Sequence, residues 1–179
     1  MAVPELLPTV ERYHPAARIL HWMVAVLLFV VFPVGAVIKF IKEDVKLTFY
    51  AIHENLGFLI LWLMLARLTV RLLVPPPLEP PMPKIFVRAA GITHRLLYAA
   101  LILQPIFGFL ATNAFGFPLN WFGLGVVWSP IGKDPELAPI LMSVHVALGW
   151  SILVLFALHI GGVVFHHVLR RDPTLYRML

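Results

Sequence analysis

Eight histidines and no cysteine stand in this chain of 179 residues. Thiolate metal sites, iron–sulfur clusters, disulfides and thiol nucleophiles are therefore excluded, and metal chemistry would have to rest on imidazole. The histidine spacing carries information. His145 and His159 lie fourteen residues apart, which is close to four turns of α-helix, so they share one face about 21 Å apart along the axis. That interval puts one imidazole in each half of a hydrocarbon layer about 30 Å thick. His53 and Arg67 repeat the same fourteen-residue interval. A structural zinc wants four ligands converging at one depth, which these spacings do not give. Imidazoles meeting in twos, from facing helices at equal depth, match the two axial positions of a b-type haem iron.

The elements that would position these side chains are membrane helices. The chain is 60% hydrophobic and only 13% charged, with a mean hydropathy of +0.89, whereas soluble domains are about one-quarter charged. Apolar runs cover about 17–40, 47–74, 85–113 and 137–169, each long enough to cross a bilayer as a helix. The PPPLEPPMP segment, Pro75 to Pro83, cannot be helical and reads as a stiff extended connector. The loop of residues 115–139 carries Trp121 and Trp128, which suit the headgroup layer. The first run follows Arg12 and Arg18 but is too long for the core of a secretory signal, so it reads as a retained span. The expected architecture is all-α: an integral membrane four-helix bundle forming one domain over residues 1–179.

The charges then orient the bundle. The net charge is +5, yet the basic residues sit at the ends of apolar runs rather than in a soluble patch, which argues against a nucleic-acid partner. Arg12, Arg18, Arg67, Arg71, Lys84, Arg88, Arg95, Arg170, Arg171 and Arg177 fall on the side of both termini, against Lys39, Lys42, Lys46 and Lys133 on the other. By the positive-inside rule both termini are expected in the cytoplasm.

With this orientation, depth pairs His53 with His145 in the outer layer and His21 with His159 in the inner layer. Each pair comes from two different helices. His94, in Thr93-His94-Arg95, is the competing inner ligand, and otherwise belongs beside a haem propionate or a quinone pocket. Arg67 reaches the depth of the inner site, where it reads as a propionate partner or as a snorkelling topology charge. Gly57, Gly149, Gly161 and Gly162 would let a flat macrocycle approach the backbone, or serve ordinary small-residue helix packing. His14 lies in the N-terminal tail and is not expected to ligate; His166 and His167 fall beyond the inner site, at the interface or in solvent.

The ordered set of His21-Trp22, His53-Glu54-Asn55-Leu56-Gly57, Trp121-Phe122-Gly123-Leu124 and His166-His167 with Asp172-Pro173-Thr174-Leu175-Tyr176-Arg177-Met178 resembles the prokaryotic cytochrome b561 family over nearly the whole chain. The resemblance implies a four-helix, two-haem quinone oxidoreductase of the bacterial inner membrane, with His21, His53, His145 and His159 as the haem iron ligands. It also implies electron passage between a periplasmic donor and the ubiquinone pool, superoxide being the donor for some members.

Three functions follow for comparison. The leading one is an oxidoreductase that moves single electrons across the membrane through two b haems, from a small periplasmic donor such as superoxide to ubiquinone. The second is an anchor subunit that relays electrons from a partner dehydrogenase or hydrogenase to quinone, against which the short loops offer little docking surface. The third, a haem-free transporter or scaffold, needs neither histidine pair. Residues that touch the donor are not identified by the sequence. Lys39, Lys42, Lys46 and Lys133 could steer an anion or form an ordinary mixed-charge loop with Glu43, Asp44, Asp134 and Glu136.

Overall fold

Each long apolar run folds as a helix whose ends are set by local chemistry. A computed structural model of the protein describes residues 11–78 and 81–179. Helix α1 spans Pro15–Val37, with Pro15 at a first-turn position that needs no N–H and the His14 ring accepting from the Ala16 amide at 3.2 Å. A single 3₁₀ turn, Ile38–Phe40, leads to α2, Glu43–Leu73. Glu43 and Asp44 lie in the first turn of α2, where carboxylates favour a helix N-terminus. The helix therefore starts ahead of its apolar run, four residues before the expected boundary at 47. Helix α3, Lys84–Phe115, stops at Gly116, whose φ of +92° is the left-handed cap that glycine adopts without strain. Helix α4, Leu137–Val164, begins where the Asp134 carboxylate accepts from the amides of Glu136 and Leu137.

The described part of the proline-rich connector is neither helix nor strand, as its prolines require; Glu79 and Pro80 lie outside the described residues. A second departure from expectation concerns the end of α4. Residues Phe165–Arg170 wind as a π-helix, closed by Arg171 at φ +53°. This wider turn brings the His166 ring to the Asp172 carboxylate at 2.6 Å and the Asp172 amide to the His166 carbonyl at 3.1 Å. His166 is thus buried, against the expectation of an interfacial or solvated side chain. Its neighbour His167, set against Tyr176, is exposed.

Packing is most extensive between α3 and α4, then between α1 and α2, then between α2 and α3. The central core joins Val24 and Val31 of α1, Ile60 and Met64 of α2, Ala100 and Leu101 of α3, and Ile152 of α4. A second cluster, Ala111, Ala114, Ala138 and Leu141, closes α3 on α4 at the end away from the termini. Outside, large apolar side chains face away from the protein: Phe29 is 68% exposed and Leu72 76%. Counted with the 3₁₀ and π turns that extend α1 and α4, four spans of 26 to 34 residues with such a surface make a multi-pass membrane bundle, whose exterior lipid tails cover.

The two ends differ in how they are closed. At one end the start of the described chain meets the C-terminal segment: the Tyr13 amide donates to the Arg177 carbonyl at 3.0 Å, and the Trp22 indole donates to the Met178 carbonyl at 2.9 Å. The buried Arg177 guanidinium donates to the carbonyls of Pro77 and Leu78 and lies over the Tyr13 ring. At the far end the α3–α4 loop rests on α2. Trp121 donates its indole N–H to the Asn55 carbonyl at 3.2 Å, and the Phe122 amide donates to the Asn55 side-chain oxygen.

Candidate functional site

Two residues before Asn55 on α2, His53 faces His145 of α4, with ring centres 6.0 Å apart and ring planes 84° apart. The environment assigns different work to the two nitrogens of each ring. His53 Nδ1 lies 3.0 Å from the Val31 carbonyl of α1, and His145 Nδ1 lies 2.8 Å from the Gln104 carbonyl of α3. A carbonyl only accepts, so each Nδ1 carries the proton and each Nε2 keeps its lone pair. The Gln104 amide, 3.2 Å from His145 Nε2, meets that lone pair as a donor.

Toward the terminal end, His21 of α1 faces His159 of α4 with ring centres 6.1 Å apart and planes 69° apart. His94 of α3 also flanks His159, at 5.2 Å. Among the described residues, no three His, Asp or Glu side chains converge as they would on a single bare ion. His21 Nδ1 is buried without a hydrogen-bond partner, a condition that calls for a missing ligand or water. Arg67 is half-buried, its guanidinium over the Tyr98 ring at 5.2 Å. It lines a pocket with Tyr13, Arg71, His94, Tyr98 and Met178. Of the six site residues expected from the sequence, the structure sets His53 against His145, and His21 and His94 against His159, with Arg67 in the pocket beside His94. The His14 ring caps α1.

Sequence reasoning passed over two glycines. A side chain on Gly35 of α1 would collide with the His53 ring, and one on Gly108 of α3 with the His145 ring. The glycines it singled out, Gly57, Gly149, Gly161 and Gly162, meet no atom within 4 Å of a notional Cβ. Open space above their Cα atoms leaves room for a flat group.

The histidine pairs also pass a test of fit. Two metal–imidazole bonds of about 2 Å on opposite sides of one ion, with each nitrogen about 1 Å from its ring centre, separate ring centres by about 6 Å. The 6.0 Å and 6.1 Å pairs match that spacing; His94 and His159, at 5.2 Å, are closer than it allows. Comparison with known proteins gives the family. The sequence profile of a family described as prokaryotic cytochrome b561 matches residues 12–179. The chain belongs to the prokaryotic cytochrome b561 family. It is similar to cytochrome b561 homolog 2 of Escherichia coli (strain K12), with 29% identity over 96% of this chain and 93% of the relative. It is also similar to the probable superoxide oxidase CybB of Yersinia pestis, with 26% identity over 89% of this chain and 91% of the relative. Membership of a cytochrome b561 family implies b-type haem, membrane electron transfer and an oxidoreductase role for this cytochrome in a bacterial membrane.

Proposed function

We infer that this cytochrome is a single-domain, two-haem oxidoreductase of the bacterial inner membrane, carrying electrons from a small periplasmic donor, superoxide, to ubiquinone. The observation that carries the reading is the pair of facing imidazoles at each of two depths, at 6.0 Å and 6.1 Å. His53 and His145 would hold one haem, and His21 and His159 the other. Haem, when bound, supplies reversible one-electron chemistry at its iron, which no side chain of this cysteine-free chain provides.

The chain's own residues do the rest. The carbonyls of Val31 and Gln104 hold the Nδ1 protons of His53 and His145, so each Nε2 lone pair is the one that would meet the metal; at His145 the Gln104 amide that donates to it would have to give way. His145 and His159 on one face of α4 fix the two sites about 21 Å apart, so that together they cover most of the hydrocarbon thickness. Arg67, held over Tyr98 in the pocket beside His94, supplies a cation to a propionate. The reading places both termini in the cytoplasm, which exposes Lys39, Lys42 and Lys133 to the periplasm. Two superoxide anions each surrender one electron and leave as dioxygen; the two electrons and two protons convert one ubiquinone to ubiquinol. The name of the Yersinia pestis relative supports superoxide as the donor.

The test is to purify the protein, count its haem by extraction into acidified organic solvent, and add superoxide anaerobically with ubiquinone present. The expected result is two extractable haems per chain, reduced by superoxide and reoxidised by ubiquinone. Haem that superoxide leaves oxidised would favour an anchor subunit fed by a partner dehydrogenase. A protein without haem would end the reading.

A further inference from the structure

We propose that Gly35 and Gly108 are positioning residues for the His53–His145 pair, each forming a socket in which an imidazole lies on a bare Cα and donates Nδ1–H to a carbonyl of the same helix. The inference rests on the reading that this pair holds haem iron.

The two sockets follow one rule on two different helices. His53 bonds the carbonyl of Val31, and the glycine it touches is Gly35, four residues on. His145 bonds the carbonyl of Gln104, and the glycine it touches is Gly108, again four residues on. Residues four apart lie one above the other on a helix face. Carbonyl and bare Cα therefore form one strip against which the Nδ1–Cε1 edge of a ring rests. A Cβ at Gly35 would stand 2.8 Å from His53 Nδ1 and closer still to its Cε1; a Cβ at Gly108 would stand 2.6 Å from His145 Nδ1 and 2.7 Å from its Cε1. No side chain fits beneath either ring as it lies. An added methyl would either lift the ring off its carbonyl, freeing Nδ1, or drive it into the 6.0 Å gap to the opposite imidazole. Both outcomes misplace Nε2. The sockets are also what holds the rings at 84° to each other, because each ring takes its orientation from a different helix, α1 or α3.

Partners that orient a metal-binding histidine typically contribute 10- to 100-fold in affinity. The experiment compares the unaltered protein with Gly35→Ala, Gly108→Ala, His53→Ala and Gly91→Ala, all purified in detergent. Gly91 is on α3 and would meet only an Arg95 side-chain nitrogen at 3.9 Å, so it serves as the control. Redox titration of the haem absorbance and low-temperature EPR resolve the two components, and His53→Ala identifies the one in question. In Gly35→Ala and Gly108→Ala that component should lose occupancy by about 10-fold or more at limiting haem, or shift in midpoint potential and g value. The other component should stay intact, as should both in Gly91→Ala. If both components in the two variants match the unaltered protein in occupancy, potential and g value, the sockets do not position the ligands. Where a variant does not fold, the unaltered protein decides. Imidazole planes near perpendicular give a strongly anisotropic low-spin ferric signal, and its absence from the component lost in His53→Ala overturns the inference. An unaltered protein lacking that component overturns the haem reading and this inference together; a component present but indifferent to both glycines overturns this inference alone.

Discussion

A histidine in hydrocarbon is costly unless both ring nitrogens have work, and at His53 and His145 both do. Nδ1 of each is tied to a carbonyl of a neighbouring helix, His145 Nε2 meets the Gln104 amide, and the two rings face each other across a 6.0 Å gap. Replacing His53 or His145 by alanine should therefore remove one spectral component, about half of the haem absorbance, and leave the other. At the second depth the choice is between His21 and His94, which flank His159 on two sides. The 6.1 Å spacing and the unpartnered Nδ1 favour His21. His21→Ala should abolish that component, whereas His94→Ala should shift its potential or spectrum while keeping it. The reverse outcome in difference spectra would make His94 the ligand. The histidines were legible because helical period and depth are one-dimensional quantities. Gly35 and Gly108 were not, because a glycine that receives an imidazole sits on the neighbouring helix, and nothing local to either histidine names that neighbour.

At the scale of elements, the ends of the helices hold what composition alone could not convey. Four apolar runs gave four helices, but the final turn of α4 is wound to let His166 reach Asp172, which also accepts from Arg170 at 3.1 Å and from the Thr174 amide at 3.0 Å. A π-turn leaves no mark in hydropathy, since its residues are those of an ordinary helix end. Burial opposes ionisation of Asp172, but hydrogen bonds from Thr174 and His166 outweigh it and bring the carboxyl down from 3.8 to about 2. A carboxylate with a depressed folded value stabilises the fold above its unfolded value and stops doing so as pH falls through the folded one. This closure should thus be intact above pH 3.8 and be lost toward pH 2. Melting temperature should fall over that window more steeply in the unaltered protein than in Asp172→Asn, and equal slopes would show that the interaction is not formed. The same end contains Arg177, which satisfies the carbonyls of Pro77 and Leu78. Arg177→Ala leaves both without that donor and should destabilise the protein by about 1–3 kcal/mol, measurable as a lower melting temperature.

At the scale of the molecule, the bundle was legible because lipid admits only satisfied backbone, so a long apolar run has to be a helix. Which helix touches which was not, since α4 is apolar on every side and no stripe marks its buried face. The distribution of charge could be read, but its availability could not. Of the four lysines at the far end, Lys46 is ion-paired with Glu43, while Lys39, Lys42 and Lys133 have no carboxylate within bonding range among the described residues. Steering of an anion toward the His53–His145 end should then rest mainly on those three. Such steering acts on encounter rate and is screened over about 8 Å at physiological ionic strength. The rate of haem reduction by superoxide should fall as salt rises, and fall further when Lys39, Lys42 and Lys133 become glutamate. Lys46→Glu alone should also slow reduction, because it turns a neutral Lys46–Glu43 pair into two carboxylates. Haem content should be unchanged throughout, since none of these side chains touches an imidazole, and a neutral quinol should be indifferent to all four substitutions. Stopped-flow reduction that is equally fast in every charge variant and at every salt concentration would leave these lysines as ordinary loop residues. Superoxide would then be supported as the donor only by likeness to a relative.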